Sequence, residues 1–202
     1  MYSIKQGLTI GFHGCDQSIV DLIVSQNTTD LKISENAWDW LGNGIYFWEN
    51  NYDRALEWAK HESKKKDSKI KKPAVLGAVI SLGNSLDLLD SKNIILVEEA
   101  FNLLKLYSQL TDIELPKNRN PINVKGNDNL LRNLDCAVIE TVCSNTEKMK
   151  FDSVRGMFIE GKPLYENAGF YEKSHIQIAI RNPNCIKGYF VPKSLNADFG
   201  IV

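Results

Sequence analysis

No window of this sequence approaches the roughly 18 apolar residues in a row that a membrane-spanning helix requires. The opening Met-Tyr-Ser-Ile-Lys-Gln has no long apolar core followed by a small-residue cleavage site. Neither membrane insertion nor export by such a signal is expected. Cysteine is sparse: Cys15, Cys136, Cys143 and Cys185 lie far apart with no C-x-x-C pair. That argues against a disulfide framework and a zinc site, and it suits a reducing cytoplasm. A surplus of one charge is lacking too. With 24 Lys and Arg against 25 Asp and Glu the formal net charge is −1, so any contact with nucleic acid or acidic lipid must be local. No internal repeat of about 20 to 50 residues is visible, which disfavours solenoids and propellers.

What is present suits one domain over residues 1–202. Apolar residues make up 43% and charged residues 24%, enough for a substantial core and too balanced for a disordered chain. Residues 8–12 read as an apolar strand that delivers His13-Gly14 to the mouth of a turn. Asp16 then caps a helix whose Ile19, Val20, Ile23 and Val24 share a face. A loop dense in aromatics, from Trp38 through Gly42 and Gly44 to Trp48, enters a short strand. Asn51 or Asp53 caps a second helix, with Ala55, Leu56 and Ala59 on its packing face. The basic stretch 64–72, ending at Pro73, reads as a solvated loop or as a local contact for nucleic acid or another acidic target. A strand over 75–82 closes at Gly83-Asn84. Two core helices follow over 94–110 and 130–142, with 116–126 a surface loop between them. Strands at 154–159, 176–180 and 186–191 complete a mixed α+β domain.

Several of these segments carry a resemblance. Phe12-His13-Gly14, then Gly42-Asn43-Gly44-Ile45-Tyr46-Phe47, then Arg54-Ala55-Leu56-Glu57-Trp58-Ala59 resemble three ordered features of the poly(ADP-ribose) polymerase-like, diphtheria-toxin-type ADP-ribosyltransferases. These are a His-Gly step, a Gly-x-Gly-Ile-Tyr-Phe strand and an Ala-rich helix. The segment 75–84 is similar to that family's next core strand, and Asp152-Ser153-Val154-Arg155-Gly156 resembles the start of the one after it. The helical stretch 90–147 has no match. The resemblance implies the ADP-ribosyltransferase fold: two small packed, mostly antiparallel sheets with flanking helices and a helical insertion. It also implies NAD as the ADP-ribose donor, without a metal.

By that resemblance His13 donates a ring N–H to an adenosine-ribose hydroxyl, and Gly14 lets backbone groups approach the nicotinamide carboxamide. Tyr46 stacks on the nicotinamide ring, a contact of about 0.5–1.5 kcal/mol. Asn43 and Gly44 belong to the same donor site. Trp58 lies one residue from where the family places a second aromatic against nicotinamide, while Trp38, Trp40 and Trp48 line the adenosine side or pack the core. Taken singly, His13 reads as a structural histidine, Tyr46 as a core aromatic, Asn43 as a surface turn and His61 as solvent-facing.

Members that build chains of ADP-ribose place a glutamate at the start of a late strand. The corresponding residues 174–180 contain no acid. Alternation puts His175, Gln177 and Ala179 on one face and Ile176, Ile178 and Ile180 on the other, buried one. Gln177 is the positional substitute; it can hydrogen-bond a ribose hydroxyl but cannot take its proton. Glu160, Glu166 and Glu172, around the connection 161–173, are either candidates for the missing acid or ordinary surface carboxylates. The expectation is a mono(ADP-ribosyl)transferase with His13, Tyr46 and Gln177 as its catalytic set, modifying a protein or nucleic-acid acceptor. By analogy it would be a toxin or defence effector, which would have an inhibitory partner. The other readings are an inactive NAD or ADP-ribose-binding module and an NAD glycohydrolase. Removal of an RNA 2′-phosphate is disfavoured, because no set of basic phosphate-binding residues surrounds the two motifs.

Overall fold

A computed structural model describes residues 7–26, 30–122, 124, 128–144, 150–194 and 198. The first strand, β1 (Thr9–Asp16), runs straight into α1 (Gln17–Ser25); β2 (Ile45–Glu49) leads to α2 (Tyr52–Ser63). Next come β3 (Pro73–Ile80), β4 (Ser85–Asp87) and the long α3 (Ser91–Thr111). The short strands β5 (Asn118–Arg119) and β6 (Leu131–Arg132) precede α4 (Asn133–Ser144), and β7 (Ser153–Phe158), β8 (His175–Ile180) and β9 (Ile186–Phe190) follow. Local chemistry fixes the helix starts. Asp16 accepts from Ser18 N–H at the head of α1, and Asn51, rather than Asp53, accepts from Arg54 N–H at the head of α2.

Seven strands form one sheet in the order β4-β7-β8-β2-β1-β3-β9, with β5 and β6 apart as a two-stranded ribbon. All pairings are antiparallel except β4 with β7. The mixed α+β class is therefore as expected, but the two small packed sheets are replaced by a continuous one. It has a narrow waist: β1 and β2 pair only at Gly11↔Glu49 and Phe12↔Trp48, whereas β1 and β3 pair along their full length. Beyond Phe12 the two central strands part. No helix among the described residues is long and apolar enough to cross a membrane.

Both sheet faces are covered. One carries α1 through Val20 and Ile23, with Phe47, Leu76, Ile80 and Ile178; the other carries Leu41, Val138, Ile139, Val154 and Ala179 beneath α3 and α4. A smaller cluster of Trp48, Ala55 and Val75 lies under α2. This two-sided burial corrects the alternation expected for β8, where Ala179 and His175 are buried along with Ile178 and Ile180. In α1, Ile19 and Val24 are exposed rather than packed. The helix expected at 94–110 is present as α3 and packs on the core through Val97, Ala100, Phe101 and Leu104, whereas Leu110 is 77% exposed rather than part of the packed face. The loop expected at 116–126 contains β5, which pairs with β6.

Candidate functional site

Where β1 and β2 separate, a cleft of about 700 Å³ opens, within the range usual for small-molecule sites. His13, Gly44, Tyr46, Trp58 and Gln177 all line it, as do Trp38, Trp40, Trp48, Arg54, Glu57 and Glu160. The extended spacing of 33 residues between His13 and Tyr46 is thus closed by the fold: the His13 Nδ1 lies 2.8 Å from the Tyr46 carbonyl oxygen. His13 sits within β1 rather than at a turn, because the strand continues to Asp16.

The side chain of each residue is held in a defined state. A carbonyl only accepts, so Nδ1 of His13 carries the proton and Nε2 is left with a lone pair. Desolvation by burial lowers the His13 pKa and outweighs the Tyr46 carbonyl, which raises it. The neutral ring therefore offers an acceptor to a ligand, which reverses the donor role expected from the sequence. The Tyr46 hydroxyl donates to Gly42 O at 2.7 Å and accepts from Leu41 N–H at 2.8 Å. Burial holds its proton tightly. The phenol is an anchor, and Tyr46 both lines the cleft and packs against the core.

Gln177 stands opposite Trp48 on the neighbouring strand. His175, buried beside it, donates from Nδ1 to Lys173 O, so its Nε2 must accept the Gln177 amide N–H at 3.0 Å. That orients the Gln177 amide. Of the three candidate acids only Glu160 lines the cleft; Arg54 binds it at 2.9 Å, and it lies 4.0 Å from His175 Nδ1. Glu172 instead accepts from Lys162 N–H in the 161–173 connection, and Glu166 is exposed.

Two expected site residues are elsewhere. Asn43 does not line the cleft: its N–H donates to Glu140 and its carbonyl accepts from Arg181, and those two side chains also pair with each other. Gly42 beside it has φ 72°, a backbone state that favours glycine, and a Cβ there would strike Glu140. Gly14 is buried beneath α2. A Cβ on it would collide with the Ala55 carbonyl oxygen, so helix packing rather than ligand approach explains the glycine. Gly44 does line the cleft, with its N–H and C=O both bonded to Ser34. His61 is exposed at the rim.

Sequence reading missed an ion-pair group on the cleft wall, in which Arg54 binds Glu57 and Glu160 and Lys173 binds Glu57. Only the i,i+3 spacing of Arg54 and Glu57 was visible beforehand. It also missed the packing of Arg132 over Trp40, 4.1 Å from the ring centroid, since those residues meet only after folding. Among the described residues no group of three or more His, Cys, Asp or Glu is placed to hold a metal.

The partly buried His13 and the buried His175 make stability depend on pH. Burial lowers the pKa of His13, and burial with Arg54 and Arg132 nearby lowers that of His175, against a raising influence from the Lys173 carbonyl and Glu57. The unfolded chain then binds protons that the folded chain refuses. Stability should fall as pH drops below about 6.5, by up to about 1.4 kcal/mol per unit of pKa lowering for each ring. Urea titrations at pH 7.5 and 5.5 check this, and His175→Gln should flatten the difference.

These features define a mixed α+β domain with one aromatic cleft at the waist of its sheet. No family model matches the chain. It is similar to the uncharacterized protein MJ0359 of Methanocaldococcus jannaschii, with 25% identity over 195 residues, covering 87% of this chain and 83% of that protein.

Proposed function

We propose that the protein binds NAD in the cleft and transfers ADP-ribose from it to a macromolecular acceptor. The observation that carries this reading is the convergence of His13, Tyr46, Trp58, Gln177 and Glu160 on one hollow of dinucleotide scale. In it the ribose hydroxyl donates to Nε2 of His13, and nicotinamide stacks on the Tyr46 ring with Trp58 as a further aromatic wall. The C1′–N bond of the nicotinamide riboside breaks, and nicotinamide leaves neutral with the bonding electron pair. An acceptor O or N lone pair bonds to C1′ and its proton passes to Glu160. Gln177 holds a hydroxyl of the reacting ribose, and the Glu160 carboxylate supplies the negative charge that Gln177 lacks. Mono-transfer fits this division better than chain growth.

The test is labelled NAD incubated with pure protein and a cell extract. Label on macromolecules supports transfer. Free nicotinamide with no labelled macromolecule points to a glycohydrolase, and neither product points to an inactive binding module. His13→Ala and Tyr46→Ala should each weaken NAD binding by calorimetry about tenfold, an amount equal to about 1.4 kcal/mol. Wild-type affinity in both folded variants counts against the site.

A further inference from the structure

The cleft does not end at Trp58. A second recess of about 440 Å³ adjoins it, lined by Lys65, Lys66, Asp67, Ser68, Lys69 and Ile70 and sharing Trp58, Glu62 and Lys65 with the first. Between Lys60 and Lys72 the chain carries seven lysines against two acids, a local surplus of five positive charges in a molecule of net −1. Lys65 pairs with Glu62; Lys64, Lys66 and Lys69 are exposed and have no carboxylate partner among the described residues. The segment is not a slack connection. Turn hydrogen bonds run from Lys64 to His61, Lys65 to Glu62 and Ser68 to Lys65, and the N–H groups of Lys71 and Lys72 both donate to Asp16 at 2.7 Å. A backbone already held in turns loses less freedom on binding a polyanion than a slack one.

We infer that this recess is the docking groove for the acceptor and that the acceptor is single-stranded nucleic acid, an inference that rests on the transfer reading above. Lysines tracking a backbone beside an exposed indole are the combination that single strands use, phosphates on the cations and a base on the ring. Trp58 is 38% exposed and Trp38, also on the cleft wall, 47%. An acidic peptide would use the lysines but not the rings, and a duplex keeps its bases stacked away from them.

The experiment measures fluorescence anisotropy of labelled 12-nucleotide RNA and DNA single strands, the matching duplex, and polyglutamate, each titrated with the full chain at several salt concentrations. The single strands should bind best. A combined Lys64→Glu, Lys66→Glu, Lys69→Glu variant should lose tenfold or more in their affinity, with the log–log salt slope reduced by about 2, from roughly 0.7 per phosphate. NAD binding by calorimetry should stay unchanged in that variant, because none of the three residues lines the cleft. Polyglutamate or duplex binding as tight as single-strand binding overturns the inference, as does single-strand binding that the triple variant leaves intact. NAD binding without nucleic-acid binding sinks this inference alone; nucleic-acid binding without NAD binding sinks the transfer reading instead.

Discussion

Glu160→Gln is expected to slow nicotinamide release and transfer by about a hundredfold or more while changing NAD affinity by less than about threefold, as befits loss of a general base. Gln177 keeps the shape of an acid but cannot accept a proton, and Glu160 is the one candidate acid that lines the cleft. The substitution keeps an acceptor oxygen for Arg54, so the cleft wall should hold its geometry. Glu166→Gln and Glu172→Gln should leave the rate unchanged. A large loss in either of those, or none in Glu160→Gln, removes Glu160 from the mechanism.

Arg155→Met is expected to destabilise the fold by about 3–5 kcal/mol, the usual result of removing one member of a buried ion-pair group. Arg155 bridges β7 to two other strands at once: it binds both carboxylate oxygens of Glu49 at the end of β2, beyond β8, and both of Asp87 on the adjacent β4. Asp87 is only 2% exposed, so its charge stays out of water when the guanidinium is gone. Urea unfolding measures the loss, and a change below about 1 kcal/mol would show that the network contributes little. None of these three residues lines the cleft. NAD affinity of the folded fraction should therefore be retained.

Six of the nine described strands and the four described α-helices were legible because they carry local signals. Asp16 before α1, Asn51 before α2 and the β-rich run before Gly83 are written in neighbouring residues. The pairing of His13 with Tyr46 was legible only through the resemblance, since nothing local says that two strands 33 residues apart lie side by side. Asn43 was misplaced because its surroundings are Glu140 and Arg181, about 97 and 138 residues away in sequence. Gly14 was assigned to the ligand because the sequence does not reveal that a helix carbonyl occupies the space beside it. The direction of the His13 hydrogen bond needed the Tyr46 carbonyl, a backbone atom that no side-chain pattern encodes. The exposed apolar positions of α3 follow helical periodicity as well as buried ones do, so periodicity alone overstated its burial.

The two-rung junction of β1 with β2 joins two halves of the sheet by few ladder bonds, over a shared core of Phe47, Leu76, Ile80 and Ile178. One holds β1, β3 and β9; the other holds β2, β8, β7 and β4. His13 belongs to the first half while Tyr46 and Gln177 belong to the second. A dinucleotide gripping both would act as a clasp across that junction, so its affinity should be readable as heat resistance: at a hundred times its Kd, it would add about 2.7 kcal/mol to the folded state.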